Sequence, residues 1–448
     1  MTATGDRRTR RFWLALGAIV LVGLGLRTAY VLTVARYDQH FYDASFYSAE
    51  AQSVANGHGF VEPFARFTHP GEPAPEAADH PPLTVLVLVP GALIDGELFM
   101  RFEMVVLGLG VVVAIGLLGQ RLGGDAVGLT AAAIAAIYPN LWMNDALLMS
   151  ETLATLTTVG AVLLTYRLLE TRSVRVAVAL GAVIGLAGLT RAELVLLFPL
   201  LLGPALWSLR AASRDAWRVG GAALAASLVL IMPWVGFNLA RFDKPTFLST
   251  GDGVALLGAN CSYTYAGSWI GTWRPQCLRA EQPPGDQSVV ARKYRSDAID
   301  YATDHVGRWP AVIGARLGRG LSVFRLSQTA DFSAGEGRPE WASYWGAAMF
   351  WIVALLAIAG VTTLRRRRVR MWPVLVPIAI ALFTLIAFYG LVRFRAPAEP
   401  SFVVLAAVAL VALVDRGRRG ERREVAAPSA PVGESEPQPS TIEASSSS

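Results

Sequence analysis

At 448 residues, with 53% hydrophobic and only 17% charged side chains, the chain is too apolar to be a string of ordinary soluble domains. The formal net charge of +6 is concentrated in arginine runs ("RRTRR", "RRRRVR", "RGRRGERR") at the ends of apolar stretches, which reads as membrane topology rather than as a nucleic-acid footprint. Lys244 and Lys293 are the only lysines in a sequence heavy in Ala, Gly, Val and Leu, a bias typical of GC-rich bacterial genomes.

Residues 1–11 read as a cytoplasmic N-terminus. The run "FWLALGAIVLVGLGLRTAYVLTV" that follows lacks a small-residue cleavage site, so it reads as a retained first span. With about 20 apolar residues per crossing, spans are expected near 12–34, 101–120, 126–143, 148–169, 174–190, 192–209, 217–238, 343–363, 371–391 and 400–414. The proline-bearing "PPLTVLVLVPGALI" (81–94) is too short to cross and reads as a helix at or partly within the interface. The fold class expected is therefore an all-α polytopic membrane protein of about ten transmembrane helices. Interfacial helices fill its first outer loop (35–100), and a small extracytoplasmic domain (239–341) lies between spans seven and eight.

Arg121, Arg172, Arg175, the arginines of 210–218, 365–370 and 416–423 fall on the side of the N-terminal "RRTRR". By the positive-inside rule that side is the cytoplasm, and the expected location is a bacterial plasma membrane. Residues 12–238 form one transmembrane module, 342–414 the C-terminal spans, and 415–448 a disordered cytoplasmic tail without apolar periodicity. Cys261 and Cys277 both fall in 239–341, where an extracytoplasmic setting allows a disulfide, two free thiols being the alternative. No internal repeat marks two related halves, which weighs against an inverted-repeat transporter.

The outer segments carry the unusual chemistry. "DASFYSAEAQSVANGHG" reads as a short amphipathic helix with Asp43 at its start and Tyr47 one turn along on the same face. Taken alone, Asp43 is a helix cap. Its company is "DHPPL" with His80, "ALLMSETLATL" with Glu151, "GLTRAELVLLF" with Arg191 and Glu193, "PWVGFNLARFDKPTFLSTGDGVALLGAN" and "RFRAPAEP" with Arg393, Arg395 and Glu399, while the "ND" turn with Asp145 falls on the same face. In this order these pieces resemble the GT-C superfamily of membrane glycosyltransferases, in particular the branch of protein O-mannosyltransferases and the lipid A aminoarabinose transferase. Relatives of that kind move a sugar from a polyprenyl-phosphate carrier to an extracytoplasmic acceptor. The resemblance puts Asp43 on the catalytic aspartate and Glu151 on the second acidic position. His80 matches the loop motif that follows. The chain departs from several relatives in having Glu151 where they have Asp and "TRAE" where Pro often replaces the Ala, so details of substrate geometry do not carry over.

The chemistry fits that assignment. A lipid phosphate is a good leaving group, so no general acid is needed and one carboxylate, Asp43, can serve as the base. Direct displacement then inverts the anomeric centre. Arg191, Arg393 and Arg395 are candidates to hold the departing phosphate, or else surface salt-bridge partners of Glu193 and Glu399. Tyr47, His80, Asp145 and Glu399 complete the candidate substrate-binding set. Glu151 could orient donor or acceptor, or help hold a divalent metal with Asp43, although no cluster has ordinary zinc spacing and neither His58 nor His80 is read as a ligand. The aromatic side chains of Tyr263, Tyr265, Trp269 and Trp273 could stack on a sugar or sit in the interfacial belt. Arg27, at depth in the first span, should face a bundle interior. Expected partners are a polyprenyl-phosphate sugar, a glycan, glycolipid or protein acceptor, and the bilayer, with no nucleic acid. The rival readings are a lipid-linked sugar flippase or transporter and an inactive scaffold.

Overall fold

The structure is a computed structural model and describes residues 3–37, 43–68, 70–94, 96–209, 213–278 and 282–425. It is all-α: among the described residues the only β feature is an isolated bridge between Val61 and Glu76. The main helices are α1 (Ala3–Thr33), α2 (Asp43–Ala55), α3 (Leu83–Ile94), α4 (Glu97–Gly123), α5 (Asp125–Ile137), α6 (Glu151–Thr171), α7 (Val174–Thr190) and α8 (Ser213–Arg241). They are followed by α9 (Gly251–Ala259), α10 (Gln287–Asp304), α11 (Trp309–Gly320), α12 (Leu326–Gly335), α13 (Glu340–Arg366), α14 (Trp372–Ala387) and α15 (Glu399–Val425).

Six helices among the described residues are long and apolar enough to cross a membrane, or seven if a bent pair counts as one. That pair covers the span expected at 126–143 and is bent. The helix stops at Ile137, Tyr138 is extended before Pro139, and the chain resumes at 60° as 139–146. The proline ring clashes with a helical residue before it, which is why the break falls there. The spans expected at 174–190, 192–209 and 371–391 are shorter apolar helices, the second broken into 3-10 and π turns around Pro199. The helix α15 runs past residue 415 to Val425, and the rest of the expected tail lies outside the described residues.

Side chains such as Val229, Ile352, Leu355 and Ile358 are more than half exposed, as helix faces turned to lipid must be. Without a hydrophobic drive between spans, close backbone approach holds helices together. Gly181 of α7 lies so near the Ala223 carbonyl of α8, and Gly360 of α13 so near the Leu405 carbonyl of α15, that any Cβ there would overlap backbone.

Arg27 is wholly buried, as its depth predicts. Its Nε donates to Asp145 Oδ2 at 2.8 Å and its Nη1 to the Ala136 carbonyl at 3.0 Å, while Thr152 donates to the other Asp145 oxygen. The pair thus ties α1 to the bend after α5 and to α6.

At the end of the spans where the C-terminal ends of α7 and α8 and the α14–α15 connection meet, the first loop folds back on the bundle. Tyr47 and Ala51 of α2 bury against Val85 and Leu88 of α3. Arg241 at the end of α8 donates to the carbonyls of Phe60 and Ala77 and to Glu76, pinning the loop's return. Residues 239–341 pack over it: Thr250 N–H donates to the Ala78 carbonyl, and Gln287 joins Ala78 and Asp79. A disulfide links Cys261 and Cys277, whose Cα atoms are 5.7 Å apart.

Breaking the Arg27–Asp145 pair leaves one buried charge unmatched. Arg27→Leu should lower stability in bilayer-mimetic unfolding titrations by about 3–5 kcal/mol, whereas Arg27→Leu combined with Asp145→Leu should recover most of the loss.

Candidate active site

The α2 helix begins at Asp43, and its next turn carries Tyr47, whose ring stacks on His80 at 4.5 Å and 19°. His80 sits just before Pro81 and Pro82, whose fixed backbone sets the start of α3. His80 Nε2 lies 3.9 Å from Asp43 Oδ1, beyond hydrogen-bond reach. The other carboxylate oxygen is engaged: Arg393 donates to Asp43 Oδ2 through Nη2 at 2.5 Å. The Asp43 carboxylate is 30% exposed and opens on a cleft of about 150 Å³ that Tyr47, His80, Ser150, Arg191, Tyr389 and Arg393 help to line.

Behind Asp43 lies a buried charge network. Arg393 Nη1 donates to Glu336 Oε1 at 2.9 Å, and Arg338 Nη1 donates to Glu336 Oε2 at 2.6 Å. Arg338 Nε also donates to Asn144 Oδ1 at 3.0 Å. Glu151, 1% exposed at the start of α6, faces Arg191 at 3.5 Å, Arg338 at 3.6 Å and Arg393 at 3.8 Å, yet neither of its oxygens accepts a hydrogen bond. Arg191 leaves α7 in an extended conformation and donates to Glu193 Oε1 at 2.7 Å. The Phe394 ring lies near the guanidinium groups of both Arg191 (5.2 Å) and Arg393 (5.6 Å) at the cleft.

Of the sequence candidates, Asp43, Tyr47, His80, Arg191 and Arg393 therefore meet at the cleft, with Glu151 directly behind. Asp145, Arg395 and Glu399 lie elsewhere. Asp145 is spent on Arg27, as described above. Arg395 Nε donates to Glu399 Oε1 at 2.6 Å and its Nη1 to the Gly320 carbonyl, with its guanidinium 3.4 Å from the Phe350 ring centre. Glu399 takes the Tyr138 hydroxyl at 2.8 Å as well. Both are 1% exposed and tie the start of α15 into the bundle. The spacing of "RFRAPAEP" explains the division: Arg393 and Arg395 lie on opposite sides of a 3-10 turn, and only the first faces the cleft.

Sequence reasoning missed Glu336, Arg338 and Tyr389. A signal for the first two existed in "GEGRPEW", a charged pair set just before the proline that opens an apolar span. A divalent metal fits poorly, because Glu151, the expected partner of Asp43, is already faced by three arginines. No group of three or more His, Cys, Asp or Glu side chains placed to hold a metal occurs among the described residues.

Burial alone would raise the Asp43 pKa, but the Arg393 charge and hydrogen bond, with lesser help from His80 and Arg191, outweigh it and hold the carboxyl at about 2. Burial first, and then the Asp43 charge, push the Tyr47 hydroxyl well up, so it can donate but not act as a base at neutral pH. Glu336 is raised by burial against the pull of Arg393 and Arg338. Because the folded Asp43 pKa lies below its ordinary value near 3.8, any stability it adds is present above that pH and lost as pH falls toward 2. Arg393→Gln leaves burial to win and should lift the Asp43 pKa above its ordinary value. At pH 5, carbodiimide labelling of Asp43 read by peptide mass spectrometry should rise on the order of 100-fold over wild type, since only the protonated acid reacts. Equal labelling would show that Arg393 does not control this carboxylate.

The family model described as dolichyl-phosphate-mannose-protein mannosyltransferase matches residues 79–237. No curated protein sequence matches the chain. The oligosaccharyltransferase AglB of Archaeoglobus fulgidus, solved with an inhibitory peptide and a dolichol-phosphate, aligns over 94% of this chain and 52% of its own at 14% identity and a TM-score of 0.53. The apo form of the oligosaccharyltransferase from the same organism aligns over the same shares at 14% identity and a TM-score of 0.54. This chain thus spans about half the length of those archaeal chains. ArnT from Cupriavidus metallidurans, bound to undecaprenyl phosphate, covers 95% of this chain and 80% of its own at 14% identity, but with a TM-score of 0.42 the likeness is too loose to carry an argument. The chain thus has the fold of those archaeal oligosaccharyltransferases, and over residues 79–237 it matches the model of the dolichyl-phosphate-mannose-protein mannosyltransferase family.

Proposed function

We propose that the protein is an inverting glycosyltransferase that moves a sugar from a polyprenyl-phosphate carrier to an acceptor hydroxyl, with Asp43 as base and with Arg393 and Arg191 as the phosphate clamp. The observation that carries this reading is the sharing of Arg393 between Asp43 and Glu336 at the edge of the cleft. Arginine holds phosphate oxygens through two parallel donors and stays charged, so a lipid phosphate entering the cleft would compete with Asp43 for Arg393. As Arg393 turns to the phosphate, its pull on Asp43 weakens, and the carboxylate regains the basicity that the pair suppresses. The acceptor oxygen then attacks the anomeric carbon while Asp43 takes its proton. The bond from that carbon to the phosphate oxygen breaks, and the negative charge of the leaving phosphate is met by Arg393 and Arg191.

In this scheme Glu151 positions rather than reacts. Its charge is enclosed by Arg191, Arg338 and Arg393, and it balances them while the cleft is empty of phosphate. Its match to the family's second acidic position supports a role at the site but does not define one. The relatives support the donor class: AglB was solved with a dolichol-phosphate, and the matching family model is that of dolichyl-phosphate-mannose-protein mannosyltransferases. The acceptor could be a glycolipid, a cell-wall polysaccharide or a protein. The arginines of 365–370, at the far end of α13 from Glu336, support placing the cleft on the extracytoplasmic side of a bacterial plasma membrane.

Reporter fusions after residues 60 and 290 should accordingly be extracytoplasmic and those after 122 and 368 cytoplasmic. A cytoplasmic signal at 290 would remove the proposed sidedness.

Asp43→Asn keeps a side chain that can begin a helix but removes the base. Transfer from labelled polyprenyl-phosphate sugar should fall by roughly 10² to 10⁴-fold at unchanged membrane abundance. Glu50→Gln on the same helix is the control. Burial raises the pKa of Glu50 to about 9, so it is protonated at neutral pH and Gln is nearly isosteric. Wild-type transfer by Asp43→Asn would return Asp43 to a capping role.

The clamp makes a separate demand. Arg393→Lys should fail to restore donor use although it restores charge, because lysine lacks the planar fork. Full activity of Arg393→Ala and Arg191→Ala together would remove phosphate recognition from both.

A further inference from the structure

A second cavity, of about 250 Å³, lies across α9 from the cleft: Ala255 of that helix lines the cleft and Leu256 the cavity. Its wall is largely apolar (Leu256, Val312, Ile313, Ile386), with Arg316 the charged group among the lining residues beside the neutral Asn260 and Tyr265. Arg316 is 5% exposed and makes no ion pair among the described residues. Its Nη1 donates to the Ile386 carbonyl at 2.8 Å, and its Nη2 to the Ala259 carbonyl at 2.8 Å and to Asn260 Oδ1 at 3.1 Å. Its Nε is buried with no hydrogen-bond partner. These acceptors are neutral, and the carbonyls at the end of α14 supply only the partial charge of a helix C-terminus. Burial lowers the Arg316 pKa to about 10, which leaves it charged at neutral pH.

A buried cation without a counter-ion is costly, and such sites are usually matched by an anion. The surroundings indicate which kind. Trp309 at the rim is 43% exposed, as an interfacial aromatic residue would be. From there exposed apolar surface continues through Ile299, Ile386 and Phe383, the last two on the lipid-facing side of α14. An anion arriving from water would gain nothing from this surface, whereas an amphiphile would bury its chain along it.

We propose that this cavity binds one anionic membrane phospholipid, its phosphodiester on Arg316 and an acyl chain along the Ile386 and Phe383 edge of α14. A phosphodiester carries one negative charge, which matches the single arginine. The polyprenyl phosphomonoester that sugar transfer leaves behind can carry two, which the paired arginines of the cleft match better. The lipid would seat α11 against the end of α14, whose next residues lead to Tyr389 and Arg393. The site does not depend on the glycosyltransferase reading.

The test is native mass spectrometry of the full chain released from nanodiscs of phosphatidylglycerol or phosphatidylcholine. The wild type should retain phosphatidylglycerol at least about tenfold more strongly than phosphatidylcholine. Ile313→Trp fills the cavity while leaving every Arg316 hydrogen bond in place and should abolish that preference. Ala302→Phe at the mouth is the second filling variant should the first fail to fold, and Arg316→Gln should abolish the preference too. Undiminished retention by the filled variants, or equal retention of the two phospholipids, would overturn the proposal. So would retention of polyprenyl phosphate in place of phosphatidylglycerol, or displacement of the lipid by inorganic phosphate alone.

Discussion

The sharing of one guanidinium, that of Arg393, is the constraint around which this end of the molecule is organised. It reaches forward to Asp43 in the first loop and back to Glu336 ahead of α13, so segments some 350 residues apart in sequence are fixed to each other by its two ends. Each partner is supported in turn: Asp43 by the α2 helix that buries Tyr47, and Glu336 by Arg338 and, through it, Asn144. Such a network is costly to desolvate and adds little to stability beyond what apolar packing would give. Charged groups held in place in this way suit the proposed chemistry, which needs them positioned before the substrate arrives.

Electrostatic balance in the network also bears on how the site would work. Arg191, Arg338 and Arg393 surround Glu151 without a hydrogen bond to it, and the buried Arg393 Nε has no hydrogen-bond partner. The cleft thus places the Arg191 and Arg393 guanidinium groups beside the Phe394 ring and a carboxylate whose basicity is suppressed. Phosphate arrival would change both features together, linking donor binding to activation of the base. In this scheme the 239–341 segment does not supply the base. Through Gln287 and Asp79 it anchors the loop that carries His80, and through Glu336 it anchors Arg393.

Much of this was legible in the sequence because it depends on local pattern. The helical stripe through Tyr47 and Ala51, the prolines after His80 and the arginine that ends "GLTR" each imply a conformation from neighbouring residues alone, and the all-α fold follows from the apolar runs. The failures have a common cause, which is that sequence does not say which way a charged side chain turns at the end of a span. Arg395 and Glu399 were grouped with Arg393 by proximity in the chain, yet a 3-10 turn sends them inward to each other. Asp145 sat at an expected outer turn, but the bend at Pro139 carries it back to Arg27. Glu336 and Arg338 were passed over because their partners lie far away in sequence, and pairing at that range has no local signature. The bend itself could have been anticipated, since Pro139 stands inside the run read as one span.

The most direct test of the central claim is to follow a doubly labelled donor, with one isotope on the sugar and another on the polyprenyl phosphate, in proteoliposomes containing the purified chain and a panel of candidate acceptors. The account predicts that the two labels separate, the sugar appearing on an acceptor and free polyprenyl phosphate remaining in the bilayer in equal amount. Labels that cross the membrane still joined to each other would contradict it and identify a lipid-linked sugar flippase.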